Sequence, residues 1–193
     1  MDKALIFGAA ALIINFIGYV PYIKGIFEGT VKPQRITWGI WSILTLVAFI
    51  NQMLNGGGYS SLFFGSTTAL VMVVFVLSLR KGVGGASAFD RLVLVTSALL
   101  FAYWAMSRDT YYSTLIAVAI DGVGALPTVL KAYKSPETEV YLQWMLAAVA
   151  GLLSMAAVPT VSLILVVYPA YIFIMNAVIV AAKYLGMKRV ANT

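Results

Sequence analysis

The sequence predicts an all-α integral membrane protein: seven transmembrane helices in a 3-1-3 arrangement, two parallel three-helix repeats joined by a linker helix. Three observations predict this fold. The composition is too apolar for a water-facing surface, seven apolar runs alternate with short connections, and one segment recurs later in the chain. Of the 193 residues, 62% are hydrophobic and only 10% are charged. Soluble domains carry roughly 25% charged residues, and a spanning helix needs about 20 mostly apolar ones. Several such helices with short connections account for the whole length. The chain has neither cysteine nor histidine, which removes disulfides, thiol catalysis and the usual zinc ligands. The net charge of +6 in so apolar a chain reads as a record of membrane orientation rather than of nucleic-acid binding.

Taken in order, the runs span Ala4 to Ile23, Thr37 to Leu54, Tyr59 to Leu79, Phe89 to Met106, Tyr111 to Leu130, Val140 to Val158 and Val161 to Ala182. Breakers separate them: Gly56, Gly57 and Gly58, then Gly82, Gly84 and Gly85, then Pro159. The fourth run is the least apolar at its start, where Asp90 and Arg91 stand. The first run reads as a spanning helix and not a cleavable signal. It has no basic leader beyond Lys3, and its partner segment recurs.

Basic residues set the direction. With seven spans, one side receives Lys24, Lys32, Arg35, Arg80, Lys81, Arg91, Lys131, Lys134, Lys183, Lys188 and Arg189, eleven of the thirteen. The other side receives Lys3 and Arg108. Cytoplasmic loops carry the Lys/Arg excess, so the amino terminus is expected outside and the carboxyl terminus in the cytoplasm, with a plasma (inner) membrane as the host. Adding or losing one interior span would scramble the count.

The repeat relates Asn15–Trp41 to Asp121–Trp144. Asn15 aligns with Asp121, Gly18 with Gly124 and Pro21 with Pro127 at one offset. After a three-residue deletion in the second copy, Pro33 aligns with Pro136, Gln34 with Glu137 and Trp41 with Trp144. The copies open the first and fifth helices, an even number of spans apart, so both run the same way. The fourth helix is the inverting connector. This divides the chain into a first unit (1–82), a linker helix (83–108) and a second unit (109–193). Parallel repeats about an axis along the membrane normal are one transporter plan, with the substrate site near the midplane.

These residues resemble the PQ-loop family, which includes the SWEET sugar carriers, the half-length SemiSWEETs and cystinosin-like carriers. The resemblance rests on a proline late in the first helix of each unit, a basic residue soon after (Lys24, Lys131), and the pairs Pro33-Gln34 and Pro136-Glu137 followed by an aromatic residue on the next helix. It covers nearly the whole chain. It implies a carrier with a 3-1-3 layout and an outside amino terminus. The second copy has Glu137 in place of the glutamine. Of the asparagines that line the pocket in the sugar carriers, only Asn176 is present, with Ser66, Thr67 and Thr68 on the third helix.

Asp121 is the most informative residue. It stands about ten residues from each end of the fifth run, near the bilayer centre at roughly 1.5 Å per residue. A central charge costs about 2.5–3.5 kcal/mol on insertion scales, so such acids face the bundle interior and often serve ion or proton pathways. Asp121 is expected to be the coupling site and Asn15, its uncharged repeat-mate, a substrate ligand. The plainer reading is a protonated carboxyl bonding a neighbouring helix. Asn176, Tyr168 and Thr67 are the further pocket candidates, with Tyr171 and Pro169 beside them; an asparagine at this depth also serves simply to join helices. Pro21 and Pro127 each remove an intrahelical hydrogen bond and suit a hinge, or a bend fixed by packing. Trp38, Trp41, Tyr141 and Trp144 read as a belt at the membrane interface, Lys24 and Lys131 as snorkelling to headgroups. Gly18 and Gly124 allow close helix approach.

No nucleophile, metal cluster or phosphate loop appears, so no enzyme activity and no cofactor are expected, apart from the coupling proton. The leading function is a secondary carrier or uniporter for a small polar solute such as a sugar or amino acid, embedded in the lipid bilayer and without a nucleic-acid partner. The alternative is a non-transporting receptor or scaffold of the same fold. Two units in one chain enclose a cavity, so a monomer suffices and a homo-oligomer is compatible.

Overall fold

A computed structural model describes residues 3–54, 58–107, 110–157 and 163–192. These form seven α-helices: α1 (Lys3–Glu28), α2 (Arg35–Leu54), α3 (Gly58–Lys81), α4 (Ala88–Met106), α5 (Thr110–Lys134), α6 (Tyr141–Ala156) and α7 (Leu163–Ala191). A short 3₁₀ turn, Pro136–Thr138, precedes α6. Each of the seven apolar runs holds one of these helices. Gly56, Gly57, Arg108, Val158, Pro159 and Val161 lie outside the described residues.

Helices α1, α5 and α7 continue past their apolar runs into the basic segments, ending at Glu28, Lys134 and Ala191. Lysines and arginines stand in the last turns of α5 and α7, where they face the negative end of the helix dipole and so prolong these two helices instead of breaking them. Among the described residues, four helices are long and apolar enough to cross a membrane: α1, α4, α5 and α7. Shorter apolar segments, Arg35–Val47 and Tyr141–Ala156, lie in α2 and α6. At about 24 Å, the 16 residues of α6 fall short of the roughly 30 Å hydrocarbon core.

The outer surface is compatible with an integral membrane protein. Large apolar side chains stand out from it: Phe16, Ile17 and Val20 on α1, Leu92, Val95 and Leu99 on α4, Ile174 and Val178 on α7. A water-facing monomer rarely exposes apolar patches of this extent.

Each of two helices is flanked by two others. Helix α3 packs on α1 and α2, and α7 packs on α5 and α6. The groups meet where α1 lies on α6 and α2 on α5. Helix α4 packs on α5 and touches α2. Two clusters hold this arrangement. Tyr19, Tyr22, Trp38, Val74, Trp144 and Ile179 interdigitate at the centre. Ile36, Ile40, Val93, Ile116 and Ile120 pin α4 against α2 and α5. Close contacts occur at both seams: a Cβ on Gly18 would meet Gln143 Oε1 at 3.0 Å across α1–α6, and one on Gly124 would meet Ile40 Cγ2 at 2.8 Å across α5–α2.

Hydrogen bonds gather the basic segments at one end of the bundle. Lys81 donates to the Phe27 carbonyl, Arg189 to Lys134, Lys183 to Pro136, and Lys131 to Lys32. Arg35 donates to the carbonyls of Ser78, Gly82 and Gly84, tying the α1–α2 connection to the α3–α4 connection.

Candidate functional site

Six helices surround one internal cavity of about 190 Å³, and α4 takes no part in it. Asn15, Thr67, Asp121, Tyr168 and Asn176 all line it. The five polar positions singled out in the sequence therefore converge from α1, α3, α5 and α7 on one space.

Asp121 is 5% exposed, and its two oxygens are distinguishable. Oδ1 accepts from the Trp41 indole nitrogen at 2.6 Å and from the Tyr171 hydroxyl at 2.9 Å. Oδ2 accepts from the Tyr168 hydroxyl at 2.9 Å. An indole N–H only donates, so Oδ1 is held as an acceptor. A hydroxyl can donate or accept, so the Oδ2–Tyr168 pair is where a proton can sit on the carboxyl without losing the contact. Helix α2 supplies Trp41 because a residue six positions into the helix has already turned to the seam with α5; α7 supplies both tyrosines from adjacent turns.

Trp41 was read as an interfacial belt residue and instead carries the shortest bond to Asp121. Trp38 and Trp144, read the same way, are buried at 1% and 2% exposure and touch at 6.2 Å between ring centroids. Sequence cannot separate these readings, because in a bilayer the lipid-facing and inward faces of a helix are both apolar. Gln143 was not foreseen. It lines the cavity, is buried, and its Oε1 has no hydrogen-bond partner, as is also true of Thr67 Oγ1. Asn176 lines the cavity while its amide donates to the Ile172 carbonyl one turn back, so it joins no second helix by that bond.

Below the cavity, at the basic end, Glu139 is wholly buried and paired with Lys131. Its other oxygen accepts from the Trp144 indole at 2.9 Å. The Lys131 ammonium also donates to the Lys32 carbonyl, and the Lys32 amide donates to Thr138 at 3.2 Å. Lys131 thus bridges two connections instead of snorkelling to headgroups. Lys24 does lie at the surface, 3.7 Å from Glu28.

The motif residues divide. Pro33 and Pro136 are both buried. Gln34 is buried and accepts from the Thr37 amide at 3.0 Å while donating to Asp90 Oδ1 at 2.9 Å. Glu137 is exposed on the 3₁₀ turn and does not take the corresponding place. The connection from Glu28 to Arg35 is as long as that from Lys134 to Tyr141, so the helices need no deletion between the copies. Trp38 and Trp144 each stand fourth in their helices, after Arg35 and Tyr141, so the offset relating Asn15 to Asp121 runs on unbroken into α2 and α6. Pro21 and Pro127 both lie inside helices, between the cavity residue and the basic end.

Among the described residues, no group of three or more Asp and Glu side chains converges to hold a metal ion. The fold and site define a helical protein, compatible with a membrane, in which one of several buried carboxylates, Asp121, faces an internal aromatic cavity. In comparisons with known proteins the chain matches no family model, no curated protein and no solved structure.

Proposed function

We propose that the protein is a membrane carrier for a small solute, working by alternating access between two three-helix units, with Asp121 as a proton-coupling site. The observation that carries this reading is the convergence of Asn15, Thr67, Asp121, Tyr168 and Asn176 on one cavity among six helices. A buried carboxyl with no salt-bridge partner is kept in a membrane interior at a cost that function must offset. In this reading the units are 1–82 and 109–193, joined by α4, with all seven helices spanning the membrane, the amino terminus outside and the carboxyl terminus in the cytoplasm. The packing supports it: α3 sits between α1 and α2 as α7 sits between α5 and α6, and the seams α1–α6 and α2–α5 exchange under the same pairing. The resemblance to PQ-loop carriers is consistent with this layout.

In this reading the Lys131–Glu139 pair and the Trp38–Trp144 contact act as the gate at the basic end. Opening there requires their separation, with Pro21 and Pro127 as hinges where an intrahelical hydrogen bond is already missing. The test is uptake into proteoliposomes. A proton gradient drives solute accumulation in the parent protein, and Asp121→Asn abolishes that drive; an unchanged pH dependence in the variant removes Asp121 as the coupling site.

A further inference from the structure

The charge and hydrogen-bonding inventory of the cavity bears on what it holds. Several of its donors are committed to the protein. The Trp41, Tyr168 and Tyr171 hydrogens go to Asp121. The Asn176 amide donates to Ile172, the Thr45 hydroxyl to Trp41 and the Ser154 hydroxyl to Ala150. The Trp144 indole points away to Glu139. Groups of both kinds remain. Trp38 Nε1, a donor, Gln143 Oε1, an acceptor, and Thr67 Oγ1, which can act as either, are buried without partners, and the Asp121 carboxylate, with about four lone-pair directions, has one beyond its three bonds.

Charge and aromatic lining narrow the choice. Asp121 is the sole carboxylate lining the cavity, and no Lys or Arg side chain lines it among the described residues. Trp41 meets Trp38 edge-on at 5.3 Å and 80°, and Trp144 at 6.1 Å and 63°. Trp38, Trp41 and Trp144 all line the cavity, and an aromatic face attracts a cation within about 6 Å. A polyol brings no counter-charge to the Asp121 carboxylate. A zwitterionic amino acid needs a cation for its carboxylate. An organic ammonium brings the counter-charge and takes acceptors and aromatic surface.

We propose that the substrate is a small organic cation lacking a carboxylate, and that it competes with a proton for Asp121. The proposal rests on the carrier reading above and narrows its substrate class. When the cation binds, the proton on Oδ2 leaves to the water on the side then open; when the cation departs, the carboxyl takes a proton back. Exchange of one monovalent cation for one proton moves no net charge. The titratable groups facing Asp121 are Tyr168 and Tyr171 of α7, with Tyr19 of α1 across the cavity; Glu139 and Lys131 lie beyond Trp144.

Binding of tetramethylammonium, phenethylammonium, glucose and leucine to the purified full chain, by thermal shift and titration calorimetry from pH 5 to 8, tests this. Both ammonium ions are expected to raise Tm. Below the carboxyl's titration their affinity should fall by about tenfold per pH unit, with one proton released per cation bound at low pH. Asp121→Asn should lose the response, and the pH series on the parent protein stands even where that variant misfolds. A response to glucose or leucine but to neither ammonium ion overturns the substrate class and leaves the carrier reading in place. Cation binding that ignores pH overturns competition at Asp121. If no solute of any class shifts Tm or crosses proteoliposomes, the carrier reading itself falls.

Discussion

At the scale of single residues, Gln34 does work that its neighbours in sequence do not reveal. Its amide donates to Asp90 Oδ1 while its carbonyl caps the Thr37 amide, and Asp90 Oδ2 accepts from the amides of Gly85 and Ser87. One side chain therefore joins the start of α2 to the start of α4. Gly84 has φ of 85°, and a Cβ there would stand 2.2 Å from Gln34 Nε2, so the turn is shaped around the glutamine. Glutamate at this place would remove the donor and set two carboxylates in contact. Gln34→Glu is expected to destabilise by about 1.5–3 kcal/mol, the range for a lost bond to a charged group. Adding Asp90→Asn should recover most of it by restoring a donor to the new carboxylate. Thermal unfolding of the two variants at neutral pH measures both; a double variant no more stable than the single would mean that the contact is incidental.

Helices and their seams were legible where the signal is local, and less so where it depends on facing. The apolar runs located all seven helices because connections are marked by glycine, proline and charge. Asp90, which with Arg91 made the start of the fourth run its least apolar part, forms a reciprocal capping box with Ser87 at the first turn of α4. Asp121 and its cavity neighbours were legible because a polar group in hydrocarbon is conspicuous. The roles of Trp38, Trp41 and Trp144 were not, since tryptophan near a helix end satisfies an interface as well as a core. Glu139 was missed because it sits next to a helix start where charge is ordinary; only tertiary structure encloses it between Lys131 and Trp144. That enclosure gives a prediction about the seam. Lys131→Met leaves a buried carboxylate unpaired and is expected to cost about 3–5 kcal/mol. Lys131→Met with Glu139→Gln removes both charges and should regain most of the loss. Thermal melts decide: equal stability of single and double variants would show that the pair is solvated and holds nothing shut.

For the whole molecule, the decisive quantity is which end faces which compartment. Backbone-directed bonds from Lys81, Arg189, Lys183 and Lys131 collect the basic segments at one end. That end also holds the closed contacts beneath the cavity. In the orientation proposed from the positive-inside rule it faces the cytoplasm, and the proposed carrier cycle then expects this arrangement to be closed on the cytoplasmic side. The absence of cysteine from the chain makes this directly measurable, since each introduced thiol is the sole target of a maleimide. Lys3→Cys, at the start of α1, should react with an impermeant maleimide added outside intact cells. Lys188→Cys, near the end of α7, should react only after the membrane is opened. Thr37→Cys is wholly buried at the basic end. It should label slowly at rest and faster in the Lys131→Met background, because separation of the two connections uncovers it from the cytoplasmic side. Labelling of positions 3 and 188 from the same compartment would require an even number of spans and would dissolve the parallel repeat. Labelling of Thr37→Cys from outside would place the closed end in the wrong compartment while leaving the helix count intact. The three thiols thus separate an error in topology from an error in direction.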